Sequence, residues 1–329
     1  MRTLIAHLVQ SSLWNAPRWV ATRLSEDFPQ HEFVYVASYD EFPSVLPEAD
    51  VFFGMSLRRE QFALAKHLKW VHSPAAAVHQ LLYPELVNSD VILTNATSVH
   101  GPVVAEHAIA QMLALAKSLH IAVRYQQQRK WAQDEMWMED VRRRPREIAD
   151  ATLLVVGLGA IGSKIAEHAR ALGMYVIATR EHPERGAGAA NEVHASGELH
   201  SLLQRADFVV IAAPVTGETR AIIDAEALAT MKETAHLVNV SRGALVDEVA
   251  LIEALRERKI AGAALDVFVK EPLPHDSGLW ELDNVLITPH TAGFTERVWE
   301  RHYALFRDNF ERFLTGAPML GVVDKHRGY

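Results

Sequence analysis

Residues 152–180 constrain this chain more than any other stretch. They read Thr152-Leu-Leu-Val-Val156, then Gly157-Leu158-Gly159-Ala160-Ile161-Gly162, then a helical pattern to Leu172, Gly173, and a second apolar run ending at Arg180. That order is strand, glycine turn, helix, strand. Three glycines spaced G-x-G-x-x-G are a weak signal alone and a strong one between a strand and a helix. Gly157 permits the tight turn. Gly159 lets backbone N–H groups approach a pyrophosphate at the positive end of the helix, and Gly162 lets the helix pack close to the strand. With them, Ala160 and Ile161 form the phosphate-facing turn. The position ~20 residues beyond the glycines normally carries an Asp or Glu for the adenosine ribose. Here it carries Arg180.

The chain has 329 residues, enough for about two domains, and 49% of them are hydrophobic, so both can hold real cores. Lys and Arg total 33 against 41 Asp and Glu, a formal net charge of -8. Nonspecific nucleic-acid binding, which needs clustered positive charge, is disfavoured. The one basic run, residues 141–146, reads as a solvated segment ahead of the glycine-motif strand. There is no cysteine. Disulfides and thiolate catalysis are excluded, and a cytoplasmic location is expected. The N-terminus has no long apolar h-region and reads as a first strand rather than a signal peptide. No apolar stretch approaches the ~20 residues of a membrane span. No metal-ligand cluster stands out.

The first third alternates strand and helix patterns. Strands are expected at 4–9, 33–38, 50–55, 69–72 and 91–94, and helices near 19–26, 59–67 and 78–87. A single long helix is expected over 103–131, started by Gly101-Pro102. After the glycine motif come strands at 151–156, 174–179, 208–212, 236–240, 263–267 and 285–288, helices at 198–206 and 248–258, and a closing helix over 295–314. Strand–helix alternation means parallel sheets covered by helices. The expected fold is α/β, with two doubly wound domains. A dinucleotide-binding domain, about 99–294, is inserted into a smaller flavodoxin-like substrate domain built from 1–98 and 295–329. Ligands of open α/β sheets sit outside the carboxyl ends of strands, so the expected site is the cleft between domains.

Three polar residues each follow an apolar run. Arg242 follows Leu237–Ser241, Glu271 follows strand 263–267, and His290 follows Val285–Pro289. The set suits hydride transfer at a carbon bearing oxygen. A carbonyl that accepts hydride must also gain a proton, and histidine is the side chain most easily poised for that near neutral pH. A carboxylate holds the imidazole in one tautomer. An arginine fork grips a substrate carboxylate and polarises the adjacent carbonyl. Singly, each has an ordinary explanation: a surface arginine after a strand, one of 17 histidines, a loop acid beside prolines. The joint pattern carries the inference.

These segments resemble the D-isomer-specific 2-hydroxyacid dehydrogenase family: Gly157–Gly162, Asn239–Gly243, Asp266-Val267-Phe268 with Glu271–Pro274, Thr288–Gly293, and Val104-Ala105-Glu106-His107. The resemblance spans almost the whole chain. It implies Arg242 as the carboxylate and carbonyl anchor, Glu271 as the orienting acid and His290 as the proton donor or acceptor. It implies that Ala213, Pro214, Thr219, Val240, Asp266 and His290 line the cofactor. It places the substrate-carboxylate loop at Ser73–Val78, where Ala75, Ala76 and Ala77 stand in place of the family's glycine-rich turn. A positive-φ geometry there would be strained. A homodimer formed through the nucleotide domains is also implied, and Trp137 is a candidate either for a neighbouring subunit's cleft or for plain interface packing.

Two departures narrow the reading. Arg180 replaces the family's usual Asp. An Asp accepts from the ribose 2′-hydroxyl and repels a 2′-phosphate, and an Arg does the reverse. NADP(H) is therefore the expected cofactor, with NAD(H) possible if Glu181 takes the ribose; His182 and Arg185 are helpers. Second, Gly54 or Met55 stands where phosphoglycerate dehydrogenases resemble "VRSAT", with an Arg for the substrate phosphate. No regulatory domain follows to Tyr329. Small unphosphorylated 2-oxoacids such as glyoxylate or hydroxypyruvate are therefore favoured over phosphoglycerate. The sequence reading is an NADPH-preferring reductase giving D-2-hydroxyacids. Its rivals are a nucleotide-sensing module like the carboxy-terminal-binding-protein corepressors, an NAD-dependent dehydrogenase of another acid, and a formate dehydrogenase, which Glu271 argues against because that enzyme has Gln there.

Overall fold

In the computed structural model, residues 1–7, 15–137 and 144–328 are described. The chain divides into two compact units, Met1–His100 with Phe294–Tyr329, and Gly101–Gly293.

In the first unit, strands β1 (Arg2–Ala6), β2 (Glu32–Val36), β3 (Val51–Phe53), β4 (Trp70–His72) and β5 (Ile92–Thr94) form one sheet in the order β2-β1-β3-β4-β5. All pairs are parallel, with Leu4 opposite Val34 and Phe52. This is the flavodoxin-like order. Alternation sends Leu4, Phe52, Val71 and Leu93 to one core and Ile5, Val51, Phe53 and Trp70 to the other. The second core is closed by the Val298–Thr315 helix, whose Phe306 stacks on Trp70 at 4.9 Å and on Phe53 at 4.6 Å. Fully burying one such Phe contributes roughly 1.5–3 kcal/mol. The C-terminal segment is thereby tied into the sheet of the first third of the chain.

In the second unit, strands β6 (Thr152–Val156), β7 (Tyr175–Arg180), β8 (Glu192–Ala195), β9 (Phe208–Ile211), β10 (His236–Asn239), β11 (Gly262–Leu265) and β12 (Val285–Ile287) form a parallel sheet in the order β12-β11-β10-β9-β6-β7-β8. Read outward from β6, this is the doubly wound dinucleotide order with one strand added. Leu154, Val156, Val209, Ile211 and Leu237 face one core, and Leu153, Val155, Val210 and Val238 face the other. Near-continuous apolar strands are what a sheet covered on both faces requires.

Several sequence expectations are corrected. The long helix starts at Thr97 and ends at Ala116, and a second helix, Leu119–Gln127, follows it. Pro102 lies inside the first helix, where the buried face from Val103 to Met112 outweighs one lost donor. Ser118 breaks the continuity in the left-handed region at φ 52°. The expected helix over 78–87 is reduced to the turns His79–Leu81 and Pro84–Val87, because Pro84 forces Tyr83 into extended backbone. The helix at 59–67 stops at Phe62. Edge strand β8 went unanticipated because its sequence, Glu-Val-His-Ala, is half polar. The strand expected at 4–9 ends at Ala6, and its last two positions lie outside the described residues, as do 141–143 of the basic run.

Candidate active site

The glycine turn forms at the point where the sheet changes direction, between β6 and β9. Gly157 has φ +99°, and a Cβ there would lie 2.7 Å from the backbone of Ala213 just beyond β9. A Cβ on Gly162 would lie 2.0 Å from the Gly157 carbonyl oxygen. Both glycines are thus fixed by close packing. Gly159 differs: a Cβ there would meet nothing within 4 Å. It caps the Ala160–Ala171 helix, and both Gly159 and Ala160 are exposed, with Ile161 half-buried. The first N–H groups of a helix have no partner within it and carry its positive end. An open face with free donors fits a cofactor's pyrophosphate.

Arg180 ends β7, and its Nη1 donates to the Gly186 carbonyl at 3.0 Å. The loop it spans holds His182, which lies 3.1 Å from Glu184 and 4.0 Å from Glu181. After β9, buried Ala213 accepts from Ser241 Oγ at 2.6 Å, and Thr219 Oγ1 donates to the exposed Pro214 carbonyl at 2.7 Å. Val240, just after β10, is buried.

Arg242 follows β10 on a tightly held turn. Asn239 Nδ2 donates to the Arg242 carbonyl at 3.0 Å, and Asn239 Oδ1 accepts from the Ser241 N–H at 3.1 Å. A Cβ on Gly243 would lie 2.0 Å from the Phe268 carbonyl carbon, so the turn is pressed against the segment after β11. Arg242 Nη1 donates to the Ser241 carbonyl at 2.6 Å. Burial lowers the guanidinium below its ordinary value and Glu271 works the other way; an arginine stays charged near neutral pH regardless.

Glu271 and His290 meet directly. His290 Nδ1 lies 2.6 Å from Glu271 Oε2, and Glu271 Oε1 accepts from the Phe268 N–H at 3.0 Å. Both side chains are partly exposed, at 43% for His290 and 34% for Glu271, so a reactant can reach them. His290 sits in the left-handed region at φ 53°. A non-glycine residue holds that conformation only where its surroundings impose it.

Asp266 is placed unlike the other cofactor-lining candidates. It is 1% exposed, and its carboxylate accepts from Thr288 Oγ1 at 2.5 Å and from the N–H groups of Thr291 and Ala292, each at 2.9 Å. Behind Thr288 stand His107 and Gln111 of the Thr97–Ala116 helix, at 3.1 and 3.0 Å from its hydroxyl. Sequence reasoning named His107 only as part of a motif and missed Gln111. Their spacing of four puts both on one helix face, but nothing in it points to Thr288 or Asp266.

In the other unit, the Ser73–Val78 loop follows β4. Ala75 N–H donates to Ser73 Oγ at 3.2 Å, and the Ala76 carbonyl accepts from Asn95 Nδ2 at 2.9 Å. Ala75, Ala76 and Ala77 are not among the residues with positive φ, so alanine brings no backbone strain. Trp137 is 68% exposed, with the Arg144 guanidinium 5.0 Å from its ring. Among the described residues, no group of three or more His, Asp or Glu is arranged to hold a metal ion, and no helix is long and apolar enough to cross a membrane.

Residues 109–292 match the NAD-binding domain of the D-isomer specific 2-hydroxyacid dehydrogenases. A D-3-phosphoglycerate dehydrogenase from Methanocaldococcus jannaschii is 31% identical over 307 residues, which is 92% of this chain but only 57% of that protein. The chain therefore spans little more than half the length of that relative. A glyoxylate reductase from Korarchaeum cryptofilum is 34% identical over 270 residues, 81% of this chain and 79% of the relative. Among solved structures, an NADPH-dependent glyoxylate/hydroxypyruvate reductase from Sinorhizobium meliloti, in complex with NADP and sulfate, aligns over 100% of both chains with a TM-score of 0.81 and 26% identity. The glycine turn at the sheet's switch point, the paired His290 and Glu271, and these matches lead to one assignment: the chain belongs to the D-isomer specific 2-hydroxyacid dehydrogenase family.

Proposed function

We propose that this protein is an NADPH-preferring reductase that converts a small, unphosphorylated 2-oxoacid, of the glyoxylate or hydroxypyruvate kind, to the D-2-hydroxyacid. The observation that carries the reading is the 2.6 Å contact between His290 and Glu271 on the segments that follow β12 and β11. Gly157, Gly159, Ala160, Ile161 and Gly162 would hold the pyrophosphate, Arg180 the 2′-phosphate, and Ala213, Pro214, Thr219 and Val240 the remaining cofactor surface. Bound there, the nicotinamide would supply the hydride that a carbonyl carbon accepts.

The protein's own residues do the rest. Arg242 grips the substrate carboxylate with its guanidinium fork and polarises the neighbouring carbonyl. In the other unit, the backbone N–H groups of Ala75, Ala76 and Ala77 are the candidates for binding a substrate carboxylate. Glu271 accepts from Nδ1–H of His290, which leaves Nε2–H to deliver a proton to the carbonyl oxygen. The His290 imidazolium becomes imidazole, and solvent reprotonates it. Glu271 then stabilises the charged ring at the start of each cycle.

Phosphorylated substrates are disfavoured because Gly54 and Met55 offer no cation at the position where the phosphoglycerate-specific pattern has one. The protein acts as a homodimer in the cytoplasm in this reading; light scattering tests the first. The decisive experiment is a turnover panel: NADPH and NADH, each against glyoxylate, hydroxypyruvate and phosphohydroxypyruvate. Preferred turnover of glyoxylate or hydroxypyruvate with NADPH supports the proposal. Preference for NADH removes the Arg180 assignment, and cofactor binding with no turnover of any oxoacid turns the reading to a nucleotide-sensing module.

A further inference from the structure

We propose that His107 and Thr288, with Gln111, are positioning residues for the reaction: they form a hydrogen-bonded chain that ends on Asp266 and holds the His290 turn. The inference rests on the assignment of His290 as the proton donor.

Proton bookkeeping fixes the direction of every bond in the chain. Asp266 Oδ1 only accepts, so the single Thr288 hydroxyl proton goes to it across 2.5 Å. The two lone pairs of Thr288 Oγ1 then take Gln111 Nε2–H at 3.0 Å and His107 Nε2–H at 3.1 Å. His107 must therefore carry its proton on Nε2. Burial lowers His107 below its ordinary value while Asp266 pulls the other way, in keeping with a neutral imidazole. The same nitrogen lies 3.6 Å from Asp266 Oδ1.

What Asp266 does with this support is specific. Three consecutive N–H groups end on this one residue: His290 on its carbonyl at 2.8 Å, and Thr291 and Ala292 on its carboxylate at 2.9 Å each. Those bonds hold the left-handed turn at His290, φ 53°. The ring that must meet Glu271 on one side and substrate on the other is aimed by that turn. A buried carboxylate holds such geometry only while its donors are all present. His107 and Gln111, four apart on one helix face, supply the outermost donors. None of the three side chains needs to touch a reactant for this.

The test uses the full-length protein and three variants, Thr288→Val, Thr288→Ser and His107→Phe. Each is assayed for kcat, KM for NADPH and for the best oxoacid, thermal midpoint, and the low-field proton resonance of the His290–Glu271 bond, assigned by its loss in His290→Gln. Thr288→Val and His107→Phe should lower kcat by about 10²-fold, the scale of a small misplacement of a reacting group. KM for NADPH should stay within about threefold, and the low-field signal should shift or vanish. Thr288→Ser, which keeps the hydroxyl, should return kcat to within about threefold of the parent. The proposal is overturned if Thr288→Val keeps the parent kcat and the parent signal, or if Thr288→Ser is as impaired as Thr288→Val. Absence of turnover in the parent sinks the reductase reading instead, and the low-field signal still decides whether the chain holds His290.

Discussion

Glu271 holds His290 with one carboxylate oxygen, Oε2 at 2.6 Å from Nδ1, while its other oxygen is fixed by the Phe268 N–H at 3.0 Å. The acid cannot rotate without losing a backbone bond, so the imidazole has one orientation and one free nitrogen. A partly exposed ion pair adds little to stability. Its value is directional.

His290→Ala should therefore reduce kcat by roughly 10²–10⁴-fold, the usual contribution of a positioned general acid. Glu271→Gln keeps the size of the side chain but removes the charge that stabilises imidazolium, so it should lower kcat with a smaller change in KM for NADPH. Steady-state kinetics on the purified variants check both. Parent-like rates in His290→Ala would remove that residue from the mechanism.

Among the described residues, Arg180 donates from Nη1 to the Gly186 carbonyl. A guanidinium has five N–H donors in a fork that suits phosphate, so tethering the loop and binding a 2′-phosphate are compatible. Arg180→Asp should lower kcat/KM for NADPH by about 10²-fold and leave the value for NADH unchanged or higher. If the variant keeps the parent's cofactor ratio, then Glu181, or the backbone of the loop, sets the choice.

The sequence made some of this legible and not the rest, for physical reasons. Strands β6, β9, β10 and β11 are buried on both faces, so they announce themselves as apolar runs, and residues that follow them, such as Arg242 after β10 and Glu271 after β11, could be placed at strand ends. The glycine turn was legible because two of its glycines are required by contact: Gly157 against Ala213, Gly162 against Gly157. Edge strand β8 has no such signature. The Asp266 cluster was illegible for a different reason. Its members, His107, Gln111, Thr288 and Ala292, are brought together by a helix and a loop up to 185 residues apart in numbering, and no local pattern marks that meeting. The break at Ser118 is similar, since nothing in Lys117-Ser118-Leu119 forbids a continuous helix.

Gly243 tests whether the placement of Arg242 depends on backbone packing. Its hypothetical Cβ would sit 2.0 Å from the Phe268 carbonyl carbon and 2.4 Å from the Val269 nitrogen, so the chain must move to admit one. Gly243→Ala should destabilise the fold by about 1–3 kcal/mol, the range for forced overpacking, and raise KM for the oxoacid because Arg242 shifts with the turn. Denaturant unfolding and kinetics read the two effects separately. A stable variant with an unchanged KM would show that the turn relaxes freely.

Buried histidines give the protein an acid limit whose sign follows from their environment. Burial holds His72 and His236 each at about 3 and drives His302 well below the ordinary value, with the nearby His100 and His72 adding to it for His302. In the unfolded chain each returns to about 6.5. The folded groups are neutral between these limits while the unfolded ones take up protons, so stability is present above about pH 6.5 and is lost as pH falls toward 3. His72 and His236 each contribute a slope approaching ~1.4 kcal/mol per pH unit inside that window, and His302 acts in the same direction. Neither ring nitrogen of His302 finds a hydrogen-bond partner among the described residues. Replacing this 1% exposed ring with leucine removes both the protonation site and the unsatisfied polar atoms. His302→Leu should be neutral or stabilising at about pH 7, and should flatten the loss of stability as pH falls below about 6.5. Denaturant midpoints measured across that range check the prediction, and an equally steep decline in the variant would place the acid sensitivity elsewhere.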